Sequence, residues 1–174
     1  MELNILKVAM FVNNTSLQKQ VDYLNNILAD VLKSFWDERG RGARYRTTLI
    51  GVDRFVSLNA NRHEQNFYDI SMVMQNIEAY LESHSIISKL SYNQRQDFSE
   101  IIDIQIYGCL HLGMERKLFK NGIKEPLACP CANLVMHLME KSLGLSAELA
   151  EIKIGDDDIC KLCIAVFIPN VQKD

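Results

Sequence analysis

A chain of 174 residues with 48% hydrophobic and 24% charged residues has the size of one domain and enough apolar material for a core, so it needs neither a metal nor a disulfide simply to fold. Its net charge of −3 argues against a general nucleic-acid binder, which carries a basic surplus. No apolar run approaches the roughly 20 residues that span a bilayer, the amino terminus shows no basic leader or small-residue cleavage site, and five cysteines, an odd number, fit reduced thiols in a cytoplasmic setting.

Thr15 and Gln18 match a capping box, in which a hydroxyl and an amide satisfy two orphan backbone donors. Behind them Val21, Leu24, Ile27, Leu28, Val31, Leu32 and Phe35 recur at spacings of three and four. This predicts a long amphipathic helix from Ser16 to Asp37, closed by the glycines of ERGRG. Its stripe is wide enough to face the body of the protein or a second copy of the chain. RYRTTLIGV is rich in β-branched and aromatic residues and is expected as a strand, with Gly51 at a bulge or turn. Ile70, Val73, Met74, Ile77, Tyr80, Leu81 and His84 set a second helical stripe, expected from Gln65 to Ser88. SHSIISKLSYNQRQDFSE then reads as a helix end, a connection and a short helical turn.

In the last third, EIIDIQIYGCLHL reads as a strand with Ile102, Ile104 and Ile106 on one face. MERKLFKNG is expected as a short helix stopped at Gly122. CPCANLVMHLMEKSLG predicts a helix with Pro130 at its first position, where the missing N–H costs nothing, and Gly144 just past its end. AELAEIKIGDDDICKLCIAVFIP predicts two strands joined by an acidic turn. The expected fold is α+β, a mainly antiparallel sheet with helices packed on one face and a long N-terminal amphipathic helix. Residues 1–174 form a single domain in this reading, helical over 1–90 and sheet-and-helix over 100–170.

The chemistry-bearing residues gather late. Thiols stand at Cys109, Cys129, Cys131, Cys160 and Cys163, with His111 two residues past the first. Zinc takes about four soft or borderline ligands, commonly from closely spaced pairs. Three pairs are available: Cys109 with His111, Cys129 with Cys131, and Cys160 with Cys163. They belong to a strand end, a helix start and a hairpin strand, which can converge at one sheet edge. Cys129 stands at a helix start, where orphan N–H groups and the helix dipole favour thiolate. Three readings stay open, ranked with buried thiols acting as small hydrophobes first, a metal site second and a redox pair third. The redox pair lacks the loop-to-helix setting of a thioredoxin-type motif. Cys131 shares a helix face with Leu134, Val135 and Leu138 and is expected in the core. Cys160 and Cys163 point to opposite faces if residues 159–168 form a regular strand.

Other motifs read as solvated surface. His137 shares a flank with Asn133 and Glu140, away from the apolar stripe of its helix. Asp156, Asp157 and Asp158 lack the spaced oxygens and terminal glutamate of a calcium loop. Arg39, Arg41, Arg44 and Arg46 surround Tyr45 and suit an anion, but Asp37 and Glu38 stand beside them. His63 and His84 have no partner in the sequence. Phosphate-binding glycine loops, a nucleophile elbow and a His-Glu-x-x-His helix are absent.

ELAEIKIGDDDICKLCIAVF, with the helix before it, resembles the C-terminal part of the 4-vinyl-reductase type domain, an α/β fold related to trafficking-complex subunits of the Bet3 type. The resemblance covers under a third of the chain and implies binding or sensing of a small hydrophobic molecule, commonly by a homodimer. Some sensory members hold zinc with a cysteine before the hairpin, a glutamate on its first strand and cysteines following. Matched by position, these are Cys129, Glu151, and Cys160 or Cys163. The chain departs from that pattern at Ile154, where another cysteine would stand, and it lacks the family's glycine-rich helix centre. With Cys109 added, the candidate metal set is Cys109, Cys129, Glu151, Cys160 and Cys163.

The expected function is a non-catalytic module, a cytoplasmic homodimer that binds a small hydrophobic molecule and is stiffened by a structural zinc, since ligand pockets are mostly apolar with few polar groups. Two alternatives stand beside it. One is a thiol- or metal-dependent enzyme or metal carrier working through the C-terminal cysteines. The other is a protein-interaction subunit that docks through the 16–37 helix.

Overall fold

The computed structural model describes residues 2–58, 67–96, 99–125, 127, 129–155 and 157–167. The first helix, α1 (Glu2–Arg39), runs through Thr15 and Gln18 without interruption, so these residues do not cap it. A capping box marks where a helix can start, and MELNILKVAMF before it contains no glycine or proline to stop one. One face of α1 sends Ala29 and Leu32 into a small core with Ala43, Met114, Leu118, Ile123 and Leu127. Another face leaves Leu17, Leu24, Ile27, Val31 and Phe35 exposed.

RYRTTLIGV does not form the expected strand. Gly40–Arg46 is a 3-10 turn, and Val52–Leu58 is a short helix, α2. Strand propensity reflects the fit of side chains to a half-buried pleated surface, and this stretch packs on a helix instead. Asn133, in the later helix Pro130–Leu143, donates from Nδ2 to the carbonyls of Thr47 at 2.8 Å and Ile50 at 3.0 Å. The Thr47 hydroxyl donates to the Leu127 carbonyl. Asn133 is therefore buried rather than solvated: two carbonyls outside any ladder need its amide.

Asp69 caps α3 (Ile70–Ser83) by accepting from the Met72 N–H at 2.8 Å. The expected start of this helix at Gln65, and His63, lie outside the described residues. After α3 the chain enters β1 (Lys89–Gln96), where a connection and a helical turn were expected. KLSYNQRQ buries only Leu90, so as an edge strand it carries too little apolar alternation to announce itself.

The remaining elements follow the expected order: β2 (Glu100–Tyr107), α4 (Leu112–Lys120), α5 (Pro130–Leu143), β3 (Ser146–Ile154) and β4 (Ile159–Phe167). The strands form one antiparallel sheet in the order β1-β2-β4-β3, and the fold is α+β. Ile102, Ile104 and Ile106 of β2 and Leu162, Ile164 and Val166 of β4 point inward to a core completed by α3 and α5. Gly144 closes α5 at φ 67°, with its N–H bonded to Glu140 and the Leu145 N–H bonded to Met139. That double bond pattern uses a left-handed residue, which glycine adopts without a Cβ penalty. Among the described residues, no helix is long and apolar enough to cross a membrane.

Candidate functional site

The turn after β2 begins at Gly108, whose φ is 60° and where a Cβ would lie 1.9 Å from Ser88 Oγ. Any other residue there would be strained by the left-handed backbone and would have to displace the Ser88 hydroxyl. The chain passes directly into Cys109, whose sulfur accepts hydrogen bonds from the backbone N–H groups of His111 and Leu112. Both groups lie at the opening of α4, where the Leu112 N–H also donates to the Cys109 carbonyl at 3.1 Å. Cys129 is the residue before α5, in extended conformation, and Cys131 lies in the first turn of that helix behind Pro130. Cys160 is the second residue of β4, paired in register with Ile106 and facing inward.

These four thiols meet at one end of the sheet. Cys131 is in hydrogen-bond contact with Cys109 and with Cys129, and Cys160 feels the charge of Cys129 and Cys109. Cys129, Cys131 and Cys160 are buried and Cys109 is half-buried. The Cys109 thiol is lowered below its ordinary range, chiefly by its hydrogen bond with Cys131, against the effect of burial and with help from the two backbone N–H groups. Cys131 moves the opposite way, first through its hydrogen bonds with Cys109 and Cys129 and then through burial. Burial, followed by the charges of Cys129, Cys109 and Glu115, raises Cys160. The arrangement favours one thiolate held among protonated neighbours.

Glu115 joins this group from the inner side of α4. It is 3% exposed, and its Oε1 is buried with no hydrogen-bond partner among the described residues. Burial first, and then the charge of Cys109, push its carboxyl up to about 8. His111, at the N-cap of α4, is half-buried, and burial lowers its pKa. In the described geometry the thiols bond to one another, and among the described residues no group of three or more His, Cys, Asp or Glu side chains could hold a metal ion as placed.

Cys109, Cys129 and Cys160 are thus brought together, whereas Glu151 and Cys163 stand elsewhere. Those two are register partners on the outer face of the sheet. Strict alternation from the buried Leu149 would turn Glu151 inward, but a β-bulge between Leu149 and Glu151 resets the period and Ile152 turns inward instead. Glu151 accepts from Lys153 Nζ at 2.7 Å. Cys163 is raised by burial and then by Asp103, to which it is hydrogen-bonded, and Arg95 Nε holds that carboxylate at 2.7 Å. Glu115 was missed by sequence reasoning. Its signal was a carboxylate three residues from both Leu112 and Leu118, on the apolar side of its helix.

Several motifs are settled within the chain. Arg39 pairs with Glu38 at 2.9 Å, Arg41 with Glu125 at 2.7 Å, and Arg44 with Glu148 at 3.1 Å. Asp158 pairs with Arg116.

The family described as "Putative rubredoxin C-terminal domain" matches residues 24–165, from the middle of α1 almost to the end of β4. This match replaces the resemblance to the 4-vinyl-reductase type domain. That resemblance rested on one helix and one hairpin, an arrangement that an antiparallel sheet with a covering helix produces in unrelated folds. No curated protein matches the chain.

Proposed function

Since the chain belongs to the rubredoxin C-terminal domain family, we propose that it is a thiolate metal-binding module associated with redox chemistry. One observation supports this reading: Cys109, Cys129, Cys131 and Cys160, from three separate places in the last 66 positions of the sequence, interact with one another in a largely buried cluster. Soft, closely set thiolates suit iron or zinc in tetrahedral coordination, and the family's name favours iron. Two further features fit such a group. The backbone N–H groups of His111 and Leu112 stabilise negative charge on Cys109, as outer hydrogen bonds do for metal-bound sulfur. The buried Glu115 Oε1 has no hydrogen-bond partner among the described residues.

When bound, iron among thiolates supplies one-electron chemistry, whereas zinc supplies only a structural bond set. This chain's residues do the rest. Cys109 offers the sulfur closest to its ionised form, and Cys131 must release the proton that it shares with its neighbours. Ile106 and the apolar face of α5 keep water from the cluster. Metal analysis of protein purified without chelator tests the proposal. Close to one equivalent of iron or zinc is expected, and less than about a tenth of an equivalent would overturn it.

The hydrophobic-ligand reading loses the resemblance that favoured it, and the apolar helix faces alone do not specify a ligand. A second copy of the chain is proposed as partner on a separate observation: Leu17, Leu24 and Val31, seven residues apart, are exposed on α1 beside Ile27 and Phe35. Heptad spacing of apolar residues favours helix pairing. Light scattering checks this, and a strictly monomeric mass would remove it.

A further inference from the structure

We propose that the cavity between α5, the edge strand β3 and the Gly40–Arg46 turn is a binding site for a small aromatic carboxylate. Arg44 holds the acid group, and Tyr45 and Phe167 flank the ring. The site is separate from the thiol cluster and does not depend on the metal reading.

The cavity has a volume of about 250 Å³, and Leu127, Met136, Leu149 and Phe167 line it together with Arg44 and Tyr45. Sites for drug-sized ligands run from roughly 300 to 1,000 Å³, so this one suits a single ring with a short side group. The fold brings its aromatic residues from distant places. Phe167 ends β4 in register with Ser146, the first residue of β3. Tyr45 lies in the segment that Asn133 ties to α5. Tyr45 is 73% exposed and Phe167 44% exposed. Single aromatic side chains on a surface need no explanation, but these two meet at one concave site beside a charged group. They offer ring faces and edges to a planar apolar ligand.

The Arg44 guanidinium is already oriented for an anion. It is half-buried, and Nη2 donates to the carbonyl of Leu149, which fixes it against the edge of the sheet. The same nitrogen meets Glu148 Oε1 at 3.1 Å, on a side chain that is 55% exposed. An exposed pair with a single contact contributes little. An incoming carboxylate takes the place of Glu148, which swings into water, while the Leu149 bond keeps the guanidinium in position. The planar fork matches the two oxygens of a carboxylate. Among the described residues that line the cavity, Arg44 is the only cation and Glu148 the only anion. One cation balances a monoanion and leaves a phosphate dianion short of donors.

Nitrogen–proton correlation spectra of the full chain, titrated with benzoate, phenylacetate and trans-cinnamate, test the assignment. At least one acid should give saturable shifts at Tyr45, Ser146 to Glu148 and Phe167, and benzamide, the uncharged counterpart of benzoate, should bind at least tenfold more weakly than benzoate. Glu148→Gln removes the competing carboxylate and should tighten binding of that acid at least threefold. Arg44→Lys should weaken it at least tenfold. Because Arg44 also anchors β3, Phe167→Ala serves as a second variant at the rim and should weaken it at least threefold with the other resonances in place. No saturable shift with any of the three acids up to about 10 mM, a value far above working affinities, would overturn the proposal. So would equal binding of benzamide, weaker binding by Glu148→Gln, or shifts centred elsewhere on the chain.

Discussion

Asn25 donates from Nδ2 to the carbonyl of Leu110 across 2.7 Å, linking α1 to the turn that carries Cys109. The bond spans 85 positions of sequence and adds to the packing of Ala29 and Leu32 on α4. Asn25→Ala removes a bond whose acceptor can be rehydrated, because Leu110 lies at the surface. The expected loss is about 1 kcal/mol, read as a lower urea midpoint. Alkylation of Cys109 should accelerate more than that of Cys160, because the turn loosens while β4 does not.

Thiol reactivity should follow the charge distribution of the cluster. In metal-free protein under reducing conditions, iodoacetamide near neutral pH is expected to label Cys109 ahead of Cys131, Cys160 and Cys163. Cys109 is lowered by its hydrogen bonds, whereas the other three are raised. The thiolate is the reacting species. Peptide mapping over a time course measures the order, and labelling of Cys163 before Cys109 would contradict it.

Glu115 makes the metal-free protein sensitive to alkali. Its carboxyl titrates at about 8 in the folded chain against 4.5 as its reference value. Below the unfolded value both states are protonated and nothing is lost. Between the two values only the unfolded state ionises, so stability falls as pH rises, and above the folded value the loss is complete. The full effect is on the order of 5 kcal/mol. Thermal melts in chelator should therefore show a falling midpoint from pH 5 to pH 8. Glu115→Gln, which mimics the neutral acid, should flatten that decline.

Asn133 holds the segment after α1 against α5, and its loss should be costly. Asn133→Ala leaves the Thr47 and Ile50 carbonyls without their donor. The Thr47 carbonyl belongs to a buried residue, so a loss of about 2–3 kcal/mol is expected. Chemical denaturation at constant slope checks the size.

Gly108→Ala should destabilise the chain and disturb the site together. Its φ of 60° and the 1.9 Å approach to Ser88 Oγ leave no room for a methyl group. Pairing it with Ser88→Gly separates the two causes. The double variant should relieve the clash but keep the left-handed strain, typically about 1 kcal/mol for a non-glycine residue.

The thiol cluster was half legible. Cys109, Cys129 and Cys160 could be singled out because residue type and element ends suggest convergence. Cys131 read as core, and it is both core and cluster: one buried sulfur can pack as a hydrophobe and still bond to two others. Glu151 turns outward because a single extra residue at a bulge in β3 reverses which side chains turn inward, and Cys163 turns outward by the plain alternation of β4, opposite to Cys160.

By itself the sequence determined the local elements with strong period or punctuation. The Ile102–Ile104–Ile106 alternation, Pro130 and Gly144 around α5, and the β3–β4 hairpin each depend on neighbours within a few residues. Only the tertiary structure decided the rest. It turned RYRTTLIGV from a strand into helical turns, because Asn133 supplied partners that a ladder would have supplied. It made KLSYNQRQ a strand, because β2 offered an edge to pair with. It buried Glu115 within the electrostatic reach of Cys109 through the packing of α4. The physical reason is the same in each case: hydrogen-bond partners and dielectric surroundings come from residues distant in sequence, and no local pattern encodes them.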